Sequence, residues 1–197
     1  LQQLRERGWL AGPHEIEREA ILHLRTAAYH FRQGDAETAL AHYGEVEEML
    51  ADGQDALRQQ LATAYEQLAR RALTEEVQPT LNPEAAGRLL ARVIDWFPER
   101  QSAWYLLGLI RAAGGNKTEA EAAFKHVLEL ADPADTQYGA ASQRLGDLYR
   151  ESGQLQAARE AYEAVLDVMP DAGAAHAGLG AIYSAQGEQE KARAAYE

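Results

Sequence analysis

WYLLGLIRAAGGNKTEAEAAF, residues 104–124, holds two incompatible readings in one stretch. Its centre, Gly114-Gly115-Asn116-Lys117-Thr118, has the outline of a phosphate-binding loop running into a helix. Such a loop needs G-x-x-x-x-G-K-[ST] after a buried strand, because backbone N–H groups cradle the phosphates while the Lys and the hydroxyl reach phosphate and Mg²⁺. Asn116 stands where the second glycine must be, and Arg111 where the first must be. Leu107 and Ile110 before the glycines, then Ala120, Phe124, Val127 and Leu128 after them, recur at the three- and four-residue spacing of an amphipathic helix. The stretch therefore reads as a helix, a glycine turn and a second helix, with Asn116 or Thr118 placed to cap the second.

The same pattern recurs along the chain. SQRLGDLYRESGQLQAAREAY from Ser142 and HAGLGAIYSAQGEQEKARAAY from His176 superpose on residues 104–124. More divergent copies are HLRTAAYHFRQGDAETALAHY from His23 and a split copy made of RQQLATAY from Arg58 and AAGRLLARVIDWFP from Ala85. A small residue stands at Ala27, Ala62, Gly108, Gly146 and Gly180, at successive spacings of 35, 46, 38 and 34 residues. Alanine returns at Ala39, Ala86, Ala120, Ala158 and Ala192, a bulky residue at Tyr43, Leu90, Phe124, Tyr162 and Tyr196, and valine at Val46, Val93, Val127 and Val165. Small residues on facing positions let two helices approach closely, so each copy is expected to be a helix hairpin. Pro98 and Pro170 are expected to end the second helices of their copies, since proline cannot continue a helix.

At these residues the chain resembles the tetratricopeptide-repeat family, whose unit of about 34 residues carries W-x2-L-G-x2-Y, then A-x3-F, then P. The third copy matches at Trp104, Leu107, Gly108, Ala120, Phe124 and Pro133, with Arg111 in place of the usual Tyr and its proline one place late. The resemblance spans roughly residues 20–197. It implies an all-α, right-handed superhelical solenoid of stacked antiparallel helix hairpins with a concave groove, about five repeats long, the last incomplete. Residues 1–13 read as an N-terminal cap or the end of a degenerate repeat. The solenoid is expected over 14–197, with units near 20–53, 55–100, 101–138, 139–172 and 173–197. The second unit carries an insertion at about 69–82, in which the first helix runs past its usual end and a loop leads to Asn82-Pro83-Glu84, an N-cap followed by a first-turn proline and acid. The extension is expected to stand proud of the stack. Four extra residues in ADPADTQYGAA are expected to lengthen the start of the fourth unit's first helix. Beginning on Leu1 and stopping on KARAAYE, the chain is expected to be a piece of a longer protein with further repeats.

Composition narrows the function. With 46% hydrophobic and 25% charged residues the chain has the profile of a folded protein. A formal net charge of -12 disfavours nucleic acid as a partner, which needs clustered Lys and Arg. No apolar run reaches the length needed to cross a bilayer, so no direct membrane insertion is expected. The absence of cysteine removes disulfides, thiolate metal sites and thiol nucleophiles. Lys is scarce beside Arg, a bias expected of a GC-rich bacterial genome. No two histidines stand at i, i+4 spacing, and His23 and His176 share the column of Trp104 while His30 shares that of Tyr65, Tyr149 and Tyr183. They read as packing residues. No catalytic residues, metal site or cofactor are expected.

What remains is the groove that the family resemblance implies, lined by the first helix of each unit. Carried over to this sequence, its partner-binding positions are Leu24, Ala28 and Phe31, then Gln59 and Thr63, Tyr105 and Leu109, Gln143, Asp147 and Arg150, and Ala177 and Ala181. The Lys and Asn set with which some family members clamp a C-terminal carboxylate is missing. The expected function is a non-catalytic scaffold that takes a protein or peptide partner in this groove, within a larger bacterial assembly, secretion or exopolysaccharide export protein. A regulatory or substrate-recruiting arm of a multidomain enzyme and a self-associating module, a homo-oligomer through the solenoid ends, are the alternatives. Compartment stays open between free cytoplasm and either side of a bacterial envelope complex.

Overall fold

The computed structural model describes residues 13–50, 54–74 and 81–197, and every regular element among them is an α-helix. Apart from Pro13, the segment expected to cap the N-terminus lies outside the described residues, as does the middle of the insertion at 75–80. Two compact units divide the chain, one ending at Trp96 and the other starting at Phe97. The first contains α1 (Pro13–Arg32), α2 (Ala36–Met49), α3 (Asp55–Thr74) and α4 (Pro83–Trp96). The second contains α5 (Gln101–Ala113), α6 (Lys117–Leu130), α7 (Thr136–Glu151), α8 (Leu155–Val168), α9 (Gly173–Ala185) and α10 (Gln189–Tyr196).

Consecutive helices pair as hairpins, and the glycine that reads as a turn in the sequence is a turn. Gly115 has a φ of 78°, in the left-handed region that favours glycine, and Gly34, Gly153 and Gly187 take the same conformation in their own hairpins. One bond accompanies it each time. The N–H after the glycine reaches back five residues to a carbonyl of the first helix: Asn116 to Arg111 at 2.8 Å, Gln154 to Tyr149 at 2.8 Å, Glu188 to Tyr183 at 2.9 Å and Asp35 to His30 at 3.0 Å. This satisfies a carbonyl that a helix end would otherwise leave bare. Asn116 takes the cap position of α6 through its backbone. Its side-chain amide donates to Glu119 Oε1 at 2.6 Å, and no side-chain oxygen caps that helix.

Caps and prolines set the other ends. Asn82 Oδ1 accepts from Ala85 N–H at 2.7 Å, with Pro83 as the first residue of α4 and Glu84 in its first turn. Asn82→Ala is expected to lower stability by about 1 kcal/mol, measured as a shift of the urea midpoint at unchanged slope. α4 and α8 stop two residues before Pro98 and Pro170. α7 has 16 residues where α5 and α9 have 13, the extra turn beginning at Asp135, whose carboxylate accepts from Gln137 N–H at 3.0 Å. α3 runs to 20 residues, and its described extension does not project. Leu68 and Ala69 are buried, Arg71 donates to the Phe31 carbonyl at 2.7 Å and its guanidinium lies 5.2 Å from the Phe31 ring. A helix with an apolar stripe this long gains more by lying against α1 than by standing in water.

The core follows the columns. Val46, Val93, Val127 and Val165 are buried, as are all five column alanines. In the second unit, Phe124 packs with Ala120, Val127, Ala141 and Leu145, and Tyr162 with Ala158, Val165, Ala175 and Leu179. Each cluster joins the second helix of one hairpin to the first helix of the next, so a hairpin buries its apolar face only when its neighbour is in place.

Candidate functional site

In the second unit α7 and α9 lie side by side with α8 beneath them, and the trough between them has a volume of about 720 Å³. Ala140, Gln143, Arg144, Asp147 and Arg150 line it from α7, on one face because they recur at three- and four-residue steps. From α9 come Ala174, Ala177, Gly178 and Ala181, a wall of methyl groups and bare backbone. Tyr162 and Val165 of α8, with Met169 just past its end, form the floor, and Tyr105 of α5 stands at one end.

The floor and the polar wall are joined by hydrogen bonds. Tyr162 donates its hydroxyl to Asp147 Oδ1 at 2.8 Å and accepts from Arg150 Nε at 3.3 Å. Gln143 Nε2 donates to the same Asp147 oxygen at 3.4 Å, and Arg144 Nη1 is 4.0 Å from the other. Burial pushes the Tyr162 phenol up to about 12, with Arg150 pulling it down and Asp147 reinforcing the rise. The hydrogen bond to Tyr162 holds the Arg150 guanidinium above its ordinary value. A phenol whose folded value lies above its unfolded one near 10 contributes stability that is complete below pH 10 and lost as the pH climbs towards 12. Tyr162→Phe should therefore flatten part of the alkaline fall in stability between those pH values, on the order of 1–2 kcal/mol. Urea unfolding of both proteins at pH 8 and at pH 11.5 measures it. Equal falls in the two proteins would sink the assignment.

Close approach at the floor requires the glycines. A Cβ on Gly146 would sit 2.6 Å from the Tyr162 ring and one on Gly178 2.5 Å from its other side, so α7 and α9 press the same ring through bare backbone. Gly108 against Phe124 and Gly180 against Tyr196 repeat the contact, at 2.6 and 2.5 Å. The column residue Trp104 donates its indole N–H to the Pro98 carbonyl at 2.8 Å, and His176 makes the same bond to Pro170 at 2.8 Å. One repeat position does one job with two side chains.

Models of the tetratricopeptide repeat match residues 99–171 and 149–197, together about half the chain. The chain is a tetratricopeptide-repeat protein. No curated protein matches it. Among solved structures it is similar to MamA, at 20% identity with a TM-score of 0.70, over 91% of this chain and 89% of that one. MamA from Desulfovibrio magneticus RS-1, from residue 41 to its end, is 21% identical with a TM-score of 0.66, covering 90% and 91%. YrrB, a TPR protein with an unusual peptide-binding site, is 20% identical with a TM-score of 0.64, covering 92% and 85%. At such identities the likeness concerns the fold: an all-α helical repeat.

Within this TPR fold, the trough in the second unit brings together Tyr105, Gln143, Asp147, Arg150, Ala177 and Ala181 of the positions carried over from the family. Leu109 lies outside it, half-buried against the cluster around Phe124. In the first unit Leu24 is buried, Ala28 and Phe31 are half-buried, and Phe31 is covered by Arg71. Gln59 and Thr63 are exposed one turn apart on α3, with Thr63 Oγ1 donating to the Gln59 carbonyl at 2.9 Å. Sequence reasoning missed Arg144, Gly178 and the floor of Tyr162, Val165 and Met169. Tyr162 and Val165 were visible as packing columns, and nothing in a column says that a packing residue also lies directly beneath a groove. His23 faces His42 with their Nδ1 atoms 2.9 Å apart, and His30 bonds Asp35 at 3.2 Å. Among the described residues no three His, Asp or Glu side chains converge into a metal-ligating group, and no helix is long and apolar enough to cross a membrane.

Proposed function

We propose that this chain is a non-catalytic protein-interaction module that seats a peptide or helix of a partner protein in the trough between α7 and α9. The observation that carries the reading is the shape of that trough: about 720 Å³ of space beside a wall whose side chains end at methyl groups. A backbone can approach such a wall closely, and apolar side chains of the partner reach the half-buried Met169 on the floor. The peptide-binding site named for YrrB supports a peptide as the occupant. Within a whole protein the module serves an assembly, secretion or export complex, as a holder of one component.

A photo-reactive residue placed at Ala181 in the full-length protein should cross-link the partner in cells, while the same residue at Glu163, exposed on α8 and outside the trough, should not. Ala177→Trp fills the trough with an uncharged indole from an exposed position, so helicity should be kept and capture should fall by about tenfold or more. Capture unchanged by Ala177→Trp would remove the trough as the site.

A further inference from the structure

We infer that the segment bound in this trough is acidic as well as apolar, and that it places an Asp or Glu carboxylate against Arg144 and Arg150. The inference rests on the trough being the binding site. It comes from where charge is spent and where it is left over. Asp147, the acid of the α7 wall, already accepts from Tyr162 at 2.8 Å and from Gln143 at 3.4 Å. Glu151, next along, is paired with Lys117 at 3.0 Å. The two arginines are less engaged. Arg144 has half its side chain exposed and approaches Asp147 only to 4.0 Å. Arg150 is exposed and makes its hydrogen bond through Nε to the uncharged Tyr162 oxygen, with the Asp147 and Glu151 carboxylates acting on it only through space. Two guanidinia on one wall thus face a space whose other wall, Ala174, Ala177 and Ala181, offers no polar side chain. The matching occupant presents apolar side chains to α9 and a carboxylate to α7, where bidentate pairing with a guanidinium is available.

The chain as a whole carries a formal charge of -12 and repels an acidic peptide. Range decides between the two effects. At physiological salt the screening length is about 8 Å, so the bound carboxylate feels chiefly the arginines beside it. At 0.01 M salt the length is about 30 Å and the whole acidic surface acts. Binding should therefore tighten as salt rises from about 0.01 M to 0.15 M, and weaken above that as the local pairs are screened in turn.

The test is selection of random twelve-residue peptides displayed on phage against the chain, against Ala177→Trp, and against Arg144→Gln with and without Arg150→Gln. Arg144→Gln alters an exposed residue and keeps the comparison valid if the double variant unfolds. Expected are peptides lost on Ala177→Trp, enriched in Asp or Glu among apolar residues, and weakened about threefold by Arg144→Gln and about tenfold by the double change. For a recovered peptide, its Glu→Gln counterpart should lose both the affinity and the salt maximum. Peptides lost on Ala177→Trp but without acidic enrichment, or indifferent to the arginine changes, overturn this inference and leave the trough as a binding site. Peptides retained by Ala177→Trp, or none recovered, overturn the trough reading and this inference with it.

Discussion

Tyr162→Ala is expected to remove about 3–5 kcal/mol of stability, while Tyr162→Phe costs about 1 kcal/mol. The ring is fully buried and is clasped from both sides, by Gly146 of its own hairpin and Gly178 of the next. Its loss opens a cavity at the junction of three helices, α7, α8 and α9. Ala158, Val165, Ala175 and Leu179 hold those helices apart, so collapse is partial and the cavity cost persists. The hydroxyl counts for less. Without it Asp147 keeps Gln143 and Arg144, and with a third of its side chain exposed it takes water as well. Because each hairpin of a repeat protein is held by its neighbours, the damage should concentrate at the α8–α9 junction. Amide exchange in α9 and α10 should accelerate more than in α5 and α6, and the urea midpoint should fall. A loss near 1 kcal/mol for Tyr162→Ala would mean that the ring is not the junction that its burial indicates.

The dual place of Tyr162 explains what the sequence could tell and what it could not. Packing in a repeat is periodic, so Gly108 with Phe124 and Gly146 with Tyr162 stand out as columns before any coordinates are known. Gly178 lies outside the columns. Its contact with Tyr162 depends on how the next hairpin is seated, which spacing within one copy does not encode. The groove was legible to the same extent. Family positions on the first helices give the direction a side chain faces, and Tyr105, Gln143, Asp147, Arg150, Ala177 and Ala181 do line one trough. Direction does not give cover. Leu24 and Leu109 also hold groove positions of the family, yet Leu24 is buried and Leu109 packs against the cluster around Phe124. The charge of the trough was hidden for a third reason: counting the groove positions along the chain, Arg32 and Arg150 against Glu66, Asp147 and Glu151, suggests near neutrality. The Tyr162 hydrogen bond that occupies Asp147, and the Lys117 pair that occupies Glu151, exist only once α7 lies against its neighbours.

Two glycines in helices should respond in opposite directions to the same substitution. Gly44 lies in α2, and nothing lies within 4 Å of where its Cβ would be. Gly44→Ala should gain about 0.5–1 kcal/mol, because alanine narrows the unfolded ensemble and favours helix. Gly108 in α5 has the same propensity to gain, but its Cβ would stand 2.6 Å from one Phe124 ring carbon and 2.8 Å from two more. The ring is fully buried among Ala120, Val127, Ala141 and Leu145, so it has no room to move aside. Gly108→Ala should lose about 1–3 kcal/mol on balance, and Gly108→Leu about 3 kcal/mol or more. Shrinking the opposing residue separates this clash from ordinary helix effects. In a Phe124→Leu background, Gly108→Ala should cost about 1–2 kcal/mol less than it does alone, a coupling of the size seen between residues in contact. Urea unfolding of the four proteins of that cycle, with Gly44→Ala as the reference, measures each number. If Gly108→Ala stabilises as Gly44→Ala does, or if its cost is the same in both backgrounds, glycine at the small-residue column is not there for close packing on the aromatic, and the repeat columns lose their physical cause.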